Sequence, residues 1–126
     1  MNIKKLENYS KPILRISISF LFLWFATSQL SNQQNWTSFI PQYILSLGIS
    51  EINLILFNGL FELILGIFLL IGFYTRASSL ILSLHLFFIS FSIGYNPLGI
   101  RDFVLALTTL SIFFSGPDKF CLDKEK

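Results

Sequence analysis

Four long apolar runs, separated by short polar stretches, leave this chain few folds to choose from. They cover about residues 13–30, 52–73, 77–93 and 102–115. A helix needs about 20 residues to cross roughly 30 Å of hydrocarbon. The fourth run is shorter than that, so its ends must reach into the headgroups or the bilayer must thin around it. Hydrocarbon offers no water to backbone N–H and C=O groups, which makes helix the state of each isolated run. The period-2 alternation of a membrane β-barrel is absent. Charged residues make up 13% of the 126-residue chain and hydrophobic ones 53%, whereas soluble domains carry about 25% charged residues. The expected fold is all-α: an integral-membrane four-helix bundle, a single domain over residues 1–126.

Basic residues then orient the bundle. Lys4, Lys5, Lys11 and Arg15 precede or open the first span, Arg76 lies between the second and third, and Lys119, Lys124 and Lys126 follow the fourth. Of the nine Lys and Arg residues, Arg101 alone falls on the other side. Positive charge is retained in the cytoplasm, so both termini are expected there, in a multi-pass protein of a prokaryotic cytoplasmic membrane. A leader cleaved near Ala26-x-Ser28 is the weaker reading. Cleavage would strip the most basic flank and leave three spans.

The connections differ in kind. Phe73–Ser78 is a tight turn, so the second and third spans are expected to pack as an antiparallel hairpin. Asn96-Pro97 and Gly99 are turn residues between the third and fourth. The long link after the first span holds Trp36, Phe39 and Tyr43, with Pro41 placed to start a short helix and Gly48 to end it. Residues 36–47 are therefore expected to form an interfacial or re-entrant piece at the outer face. The plain alternative is an aromatic anchor. Ser50 is placed to cap the second span, with Glu51 in its first turn.

Polar residues inside the spans carry the functional signal. Glu62 interrupts the apolar stretch NGLFELILG, and Gly59 and Gly66 share its helix face at spacings of three and four. Small residues there let a neighbouring helix come close, which turns Glu62 into protein. In the third span Ser78, His85 and Ser92 recur every seven residues. Arg15, Ser19, Ala26 and Gln29 share a face of the first span, as Arg101, Thr108 and Ser115 do of the fourth. Counted by helical rise from the cytoplasmic ends, Glu62 and His85 fall within about one turn of each other near mid-membrane. A charged group at that depth costs about 2.5–3.5 kcal/mol and stands as a functional hypothesis. The packing alternative is a hydrogen bond that ties two helices together.

Other chemistries find no foothold. Cys121 is the single cysteine, which excludes an internal disulfide and a CxxC pair. One His and one nearby carboxylate fall short of a metal ligand set. No phosphate loop, nicotinamide or flavin fingerprint is present, so no cofactor is bound by a recognisable motif. No basic aromatic patch points to nucleic acid.

At this point the residues resemble a known family, the DoxX family of small four-helix membrane proteins. Arg15-x3-Ser19-x2-Phe22-x3-Ala26-x2-Gln29 is similar to its opening helix. Gly59-x2-Glu62-x3-Gly66-x5-Gly72-x2-Thr75-Arg76 resembles its second helix and turn, the most specific part of the likeness. The tail Gly116-Pro117-Asp118-Lys119-Phe120-Cys121-Leu122-Asp123 resembles its Gly-Pro…Ser-Leu-Asp ending. Gln29 stands where lysine is common in the family, Ser19 and Ala26 where glycine is, and Cys121 where serine is. The resemblance implies a bundle related to quinone-linked membrane oxidoreductases. Relatives are implicated in thiosulfate oxidation, in redox-defence complexes or in chaperone-like roles.

The resulting expectation is a membrane subunit of a redox complex, with quinone as its ligand and a redox protein or a second copy as partner besides the lipid bilayer. Glu62 and His85 are the candidate proton or ligand pair. Gln29, Trp36, Tyr43, Arg101, Asp102 and Thr108 are the candidate ligand-binding residues, and Gly59, Gly66 and Gly72 the helix-packing ones. Two alternatives stand beside it. One is a scaffold or assembly protein in which Glu62 only packs helices. The other is a small proton-coupled transporter, against which stand the glutamate's place in the second span and the strong charge bias.

Overall fold

The computed structural model describes residues 3–40 and 42–123. Pro41, Lys124 and Lys126, on which part of the sequence reading rests, lie outside these. The described residues hold helices and no strand: α1 (Ile3–Glu7), α2 (Ser10–Ser31), a 3-10 helix (Gln33–Phe39), α3 (Gln42–Leu45), α4 (Glu51–Ile71), α5 (Thr75–Ile93) and α6 (Pro97–Ser115). Helix α2 with its lead-in, α4, α5 and α6 are each long and apolar enough to cross a membrane. The chain is a four-helix membrane bundle, with the start of α2 and the tail after α6 at one end, the end of the termini.

The fourth span is longer than its sequence reading. It begins at Pro97 and not near residue 102, because Asn96 and Pro97 form a helix start instead of a free turn. The Asn96 side chain accepts from the Gly99 N–H at 2.9 Å, and Pro97 fills the first helical position, where no N–H is needed. Nineteen residues rise about 28 Å, enough for the hydrocarbon without thinning. Ser50, by contrast, occupies the N-cap position of α4 without a side-chain capping bond.

Helix pairing departs from the expected hairpin. α4 packs most extensively on α2, and α5 on α6, while the α4–α5 seam is thinner. Small residues explain the choice. A Cβ at Gly59 would meet Leu30 and the Ala26 carbonyl of α2, and one at Gly66 would meet Leu23 and Phe22 of the same helix. On the other pair, Ser83 donates to the Ala106 carbonyl at 2.9 Å and Ser90 to the Gly99 carbonyl at 2.8 Å. Close backbones and interhelical hydrogen bonds are what hold helices together in lipid. The buried residues of α5 are Thr75, Ser78, Ser79, Leu82, Ser83, Leu86 and Ser90, with His85 at their edge. Those of α6 are Gly99, Asp102, Ala106, Thr109 and Ile112, which leaves Thr108 and Arg101 off the seam. Ile18, Phe22, Leu69, Leu82, Leu86, Ala106 and Ile112 form the apolar core between the four helices.

The end that carries both termini is fastened by the tail. Leu122 and Asp123 donate their N–H groups to the carbonyls of Ile71 and Gly72 at 3.1 and 2.9 Å. The Asp123 carboxylate in turn accepts from the N–H of Tyr74 and of Thr75, at 2.9 and 2.5 Å. The start of α5 is thus capped from the far end of the chain. Burial alone would raise the Asp123 carboxyl, but these bonds from Thr75 and Tyr74 outweigh it and hold the group below its usual pKa.

Gly72 is the seat of this arrangement and not an interhelical packing residue. It ends α4 in the left-handed region at φ 74°, with Phe73 N–H returned to the Phe68 carbonyl at 2.8 Å. A side chain at this position would collide with Cys121. Gly72→Ala should cost about 1–2 kcal/mol from the left-handed backbone alone, and should displace the tail. Unfolding in detergent would measure the first effect, and faster alkylation of Cys121 the second. An alanine variant with native stability and a native alkylation rate would contradict this account of the tail.

Candidate functional site

Glu62 lies in the fourth turn of α4, on the face that carries Gly59 and Gly66, and is 3% exposed. One turn earlier on the same face stands Asn58. Its amide donates to the Gln29 side-chain oxygen of α2 at 2.7 Å and to Glu62 Oε1 at 3.3 Å. From α5, His85 brings Nε2 to 3.3 Å from the same Glu62 oxygen. That nitrogen is buried and, among the described residues, has no well-aligned hydrogen-bond partner, so the pair is close without being locked. The Phe61 ring lies 4.8 Å from the imidazole, centre to centre. Three helices thus meet at a polar cluster in an apolar bundle.

The cluster faces a cavity of about 390 Å³. Its walls come from Phe22 and Phe25 of α2, Leu54, Ile55 and Phe57 of α4, Leu86, Phe88 and Ile89 of α5, and Leu105 of α6. Trp36, Ile40 and Ile44 of the segment after α2 cover it at the end away from the termini. Arg101 and Asp102 line it from α6. The Arg101 guanidinium pairs with Asp102 at 3.1 Å and lies over the Phe25 ring at 5.2 Å. Phe57 and Phe88, on facing helices, are more than half exposed. They line the cavity from the two sides of the thin α4–α5 seam.

The sequence candidates are therefore partly gathered and partly scattered. Glu62, His85, Gln29, Trp36, Arg101 and Asp102 all line the cavity. Tyr43 and Thr108 do not. Tyr43 is exposed on α3 and its hydroxyl sits 2.9 Å from Ser92 Oγ. Because Ser92 donates its proton to the Phe88 carbonyl, Tyr43 is the donor in that pair, and it fastens the segment to α5. The Thr108 hydroxyl bonds to the Val104 carbonyl of its own helix, off the buried face. Gly59 and Gly66 are closely packed, against α2 and not α5. Among the described residues no three His, Cys, Asp or Glu side chains gather as a metal site.

One residue, Asn58, escaped the sequence reading, as did the partners of another, Arg15. Asn58 bridges Gln29 to Glu62, and its signal was available as a polar side chain one turn before Glu62 on the same face. Arg15 falls, as expected, on the face shared with Ser19, Ala26 and Gln29, and all four are buried, but its partners were not foreseen. It is 2% exposed. Its Nε donates to Asp118 at 2.7 Å, and Nη1 donates to the Leu69 and Leu70 carbonyls at the end of α4.

A multi-pass, four-helix membrane protein with a polar cluster at the inner end of an apolar cavity is the class these features define. The DoxX family model matches residues 11–94, more than half of the sequence, and the chain belongs to the DoxX family. The matched stretch takes in the cluster on α2, α4 and α5, but not α6 or the tail. No curated protein and no solved structure matches this chain.

Proposed function

We propose that this protein is the membrane subunit of a redox complex and that its cavity takes a lipid-soluble ligand of the quinone class. The observation that carries the reading is a largely apolar cavity, with the exposed Phe57 and Phe88 on the two sides of the α4–α5 seam, that reaches Glu62 and His85. Ligand sites of this kind are mostly apolar with a few convergent polar groups. A quinone has the matching shape, with a flat apolar body and two oxygens that exchange protons when the ring is reduced or oxidised. Glu62 and His85 would meet one of those oxygens, with Asn58 and Gln29 holding the carboxyl in place. Arg101 and Asp102 would border the ring from α6. The chain carries no cofactor motif, so electrons would come from or go to a partner protein that holds one. The family resemblance to quinone-linked oxidoreductases and a prokaryotic cytoplasmic membrane as the setting belong to the same proposal.

Binding tests it directly. Purified protein in lipid nanodiscs should bind a short-chain quinone analogue saturably, and Trp36→Ala should weaken binding roughly tenfold, about 1.4 kcal/mol, with helix content unchanged. Absence of saturable binding by the native chain would overturn the reading. So would full affinity in both Trp36→Ala and Glu62→Gln.

A further inference from the structure

Asn58, Gln29, Asp102 and Arg101 lie on one side of Glu62 along the bundle, with His85 level with it. We propose that the Glu62 carboxyl exchanges protons with the side of the membrane opposite the chain termini, and is closed off from the side on which the termini lie. This rests on reading Glu62 as the proton-bearing group of the cavity, and not on which ligand the cavity takes.

Toward the far side, Glu62 is followed by Asn58 on its own helix, then Gln29 near the end of α2, joined by bonds of 3.3 and 2.7 Å. The same cavity reaches Asp102 and Arg101 near the start of α6, and the Arg101 side chain is 44% exposed. His85 faces Glu62 from α5. Amide, imidazole, carboxylate and guanidinium groups therefore line the way out, in a cavity large enough for several waters, since each occupies about 30 Å³ of liquid volume.

Toward the termini the path is blocked. Ile18, Phe22, Leu69, Leu82 and Ile112 fill the space between the helices and are all buried. The hydroxyls that border this packing are tied up locally. Ser19, Ser79 and Thr109 are buried, and each gives its single proton to a carbonyl of its own helix at 2.7 Å. Ser83 gives its proton to Ala106 across the seam. Beyond them the buried Arg15 guanidinium, held by Asp118 and by the Leu69 and Leu70 carbonyls, closes the end.

The test is sided labelling. In a Cys121→Ser background, Asn58→Cys and Glu62→Cys proteins in sealed proteoliposomes would meet a small membrane-impermeant methanethiosulfonate from either side. A protease-sensitive C-terminal tag would report orientation. Labelling from the side opposite the tag should be faster by roughly tenfold or more, because access to the thiolate limits the rate. Equal or faster labelling from the tag side would overturn the proposal, and so would labelling from neither side. If Glu62→Cys does not fold, the native chain decides. Its carboxyl infrared band, assigned by loss in Glu62→Gln, should respond to a pH jump on the far side, and a response only to a jump on the tag side would overturn the proposal. Since no quinone enters these measurements, sided access without quinone binding would sink the ligand reading alone.

Discussion

Replacing Arg15 with leucine should destabilise the bundle by about 3–5 kcal/mol, the loss that follows when one partner of a buried ion pair is removed. Three groups depend on the one guanidinium. Asp118, whose side chain is 4% exposed, would be left as an uncompensated carboxylate. The Leu69 and Leu70 carbonyls, at the negative end of the α4 dipole, would lose their donor. Arg15→Lys should recover only part of the loss, since an ammonium lacks the fork that reaches a carboxylate and two carbonyls together. Unfolding in mixed detergent micelles, followed by Trp24 and Trp36 fluorescence, would measure both. A leucine variant as stable as the native chain would remove the claim that this end of the bundle is locked from within.

The same lock has a pH signature. Burial by itself raises the Asp118 carboxyl, but the hydrogen bond and charge of Arg15, with the Phe120 N–H, outweigh it and hold the group below its ordinary value of 3.8. A depressed carboxylate contributes stability that is fully present above the unfolded value and is lost as pH falls through the folded one. The Arg15–Asp118 contribution should therefore persist through neutral and mildly acidic conditions and fade only below pH 3.8. In Arg15→Leu that acid-dependent loss should shrink, since the guanidinium that lowers Asp118 is gone.

How much of this could be read from the sequence follows from the kind of signal each feature leaves. The spans were legible because hydrocarbon forces a length and a helical backbone on any apolar run. The start of α6 was not, because Asn96-Pro97-Leu98-Gly99 reads equally as a turn and as a cap followed by a first helical turn. Only the bond from the Gly99 N–H to the Asn96 side chain distinguishes them. Pairing was also hidden. Chain order favours α4 against α5, but Gly59 and Gly66 face α2, and the serines of α5 face α6. That information lies in which small residues meet, a relation between two helices that neither run contains alone. The Glu62–His85 approach was visible from depth counting although the α4–α5 seam is thin, because both residues border the cavity between the two helix pairs. The tail lock was visible as a motif and not as a mechanism. Arg15 and Asp118 lie 103 positions apart, and nothing local says that the first buries the second.

Glu62→Gln should separate packing from chemistry. The amide keeps the length and polarity of the carboxyl, and its oxygen can accept from Asn58 where Oε1 does now. Interhelical hydrogen bonds in membranes average only about 0.6 kcal/mol, so the variant should fold with close to native stability. What it cannot do is take up or release a proton in the working pH range. If the carboxyl serves as the acid or base for a bound quinone, turnover of the assembled complex should fall by roughly 10²–10⁴-fold, the usual share of a positioned proton-transfer group. His85→Gln tests the partner, and a Glu62 and His85 double-mutant cycle on ligand binding should give a coupling above about 0.5 kcal/mol, since the two atoms lie 3.3 Å apart. The discriminating pair of measurements is stability and turnover on the same preparation. A stable, fully active Glu62→Gln protein would leave the carboxyl as a helix-packing device and end the redox reading of the cavity. A stable protein that binds the quinone analogue and does not turn over would place proton exchange at Glu62.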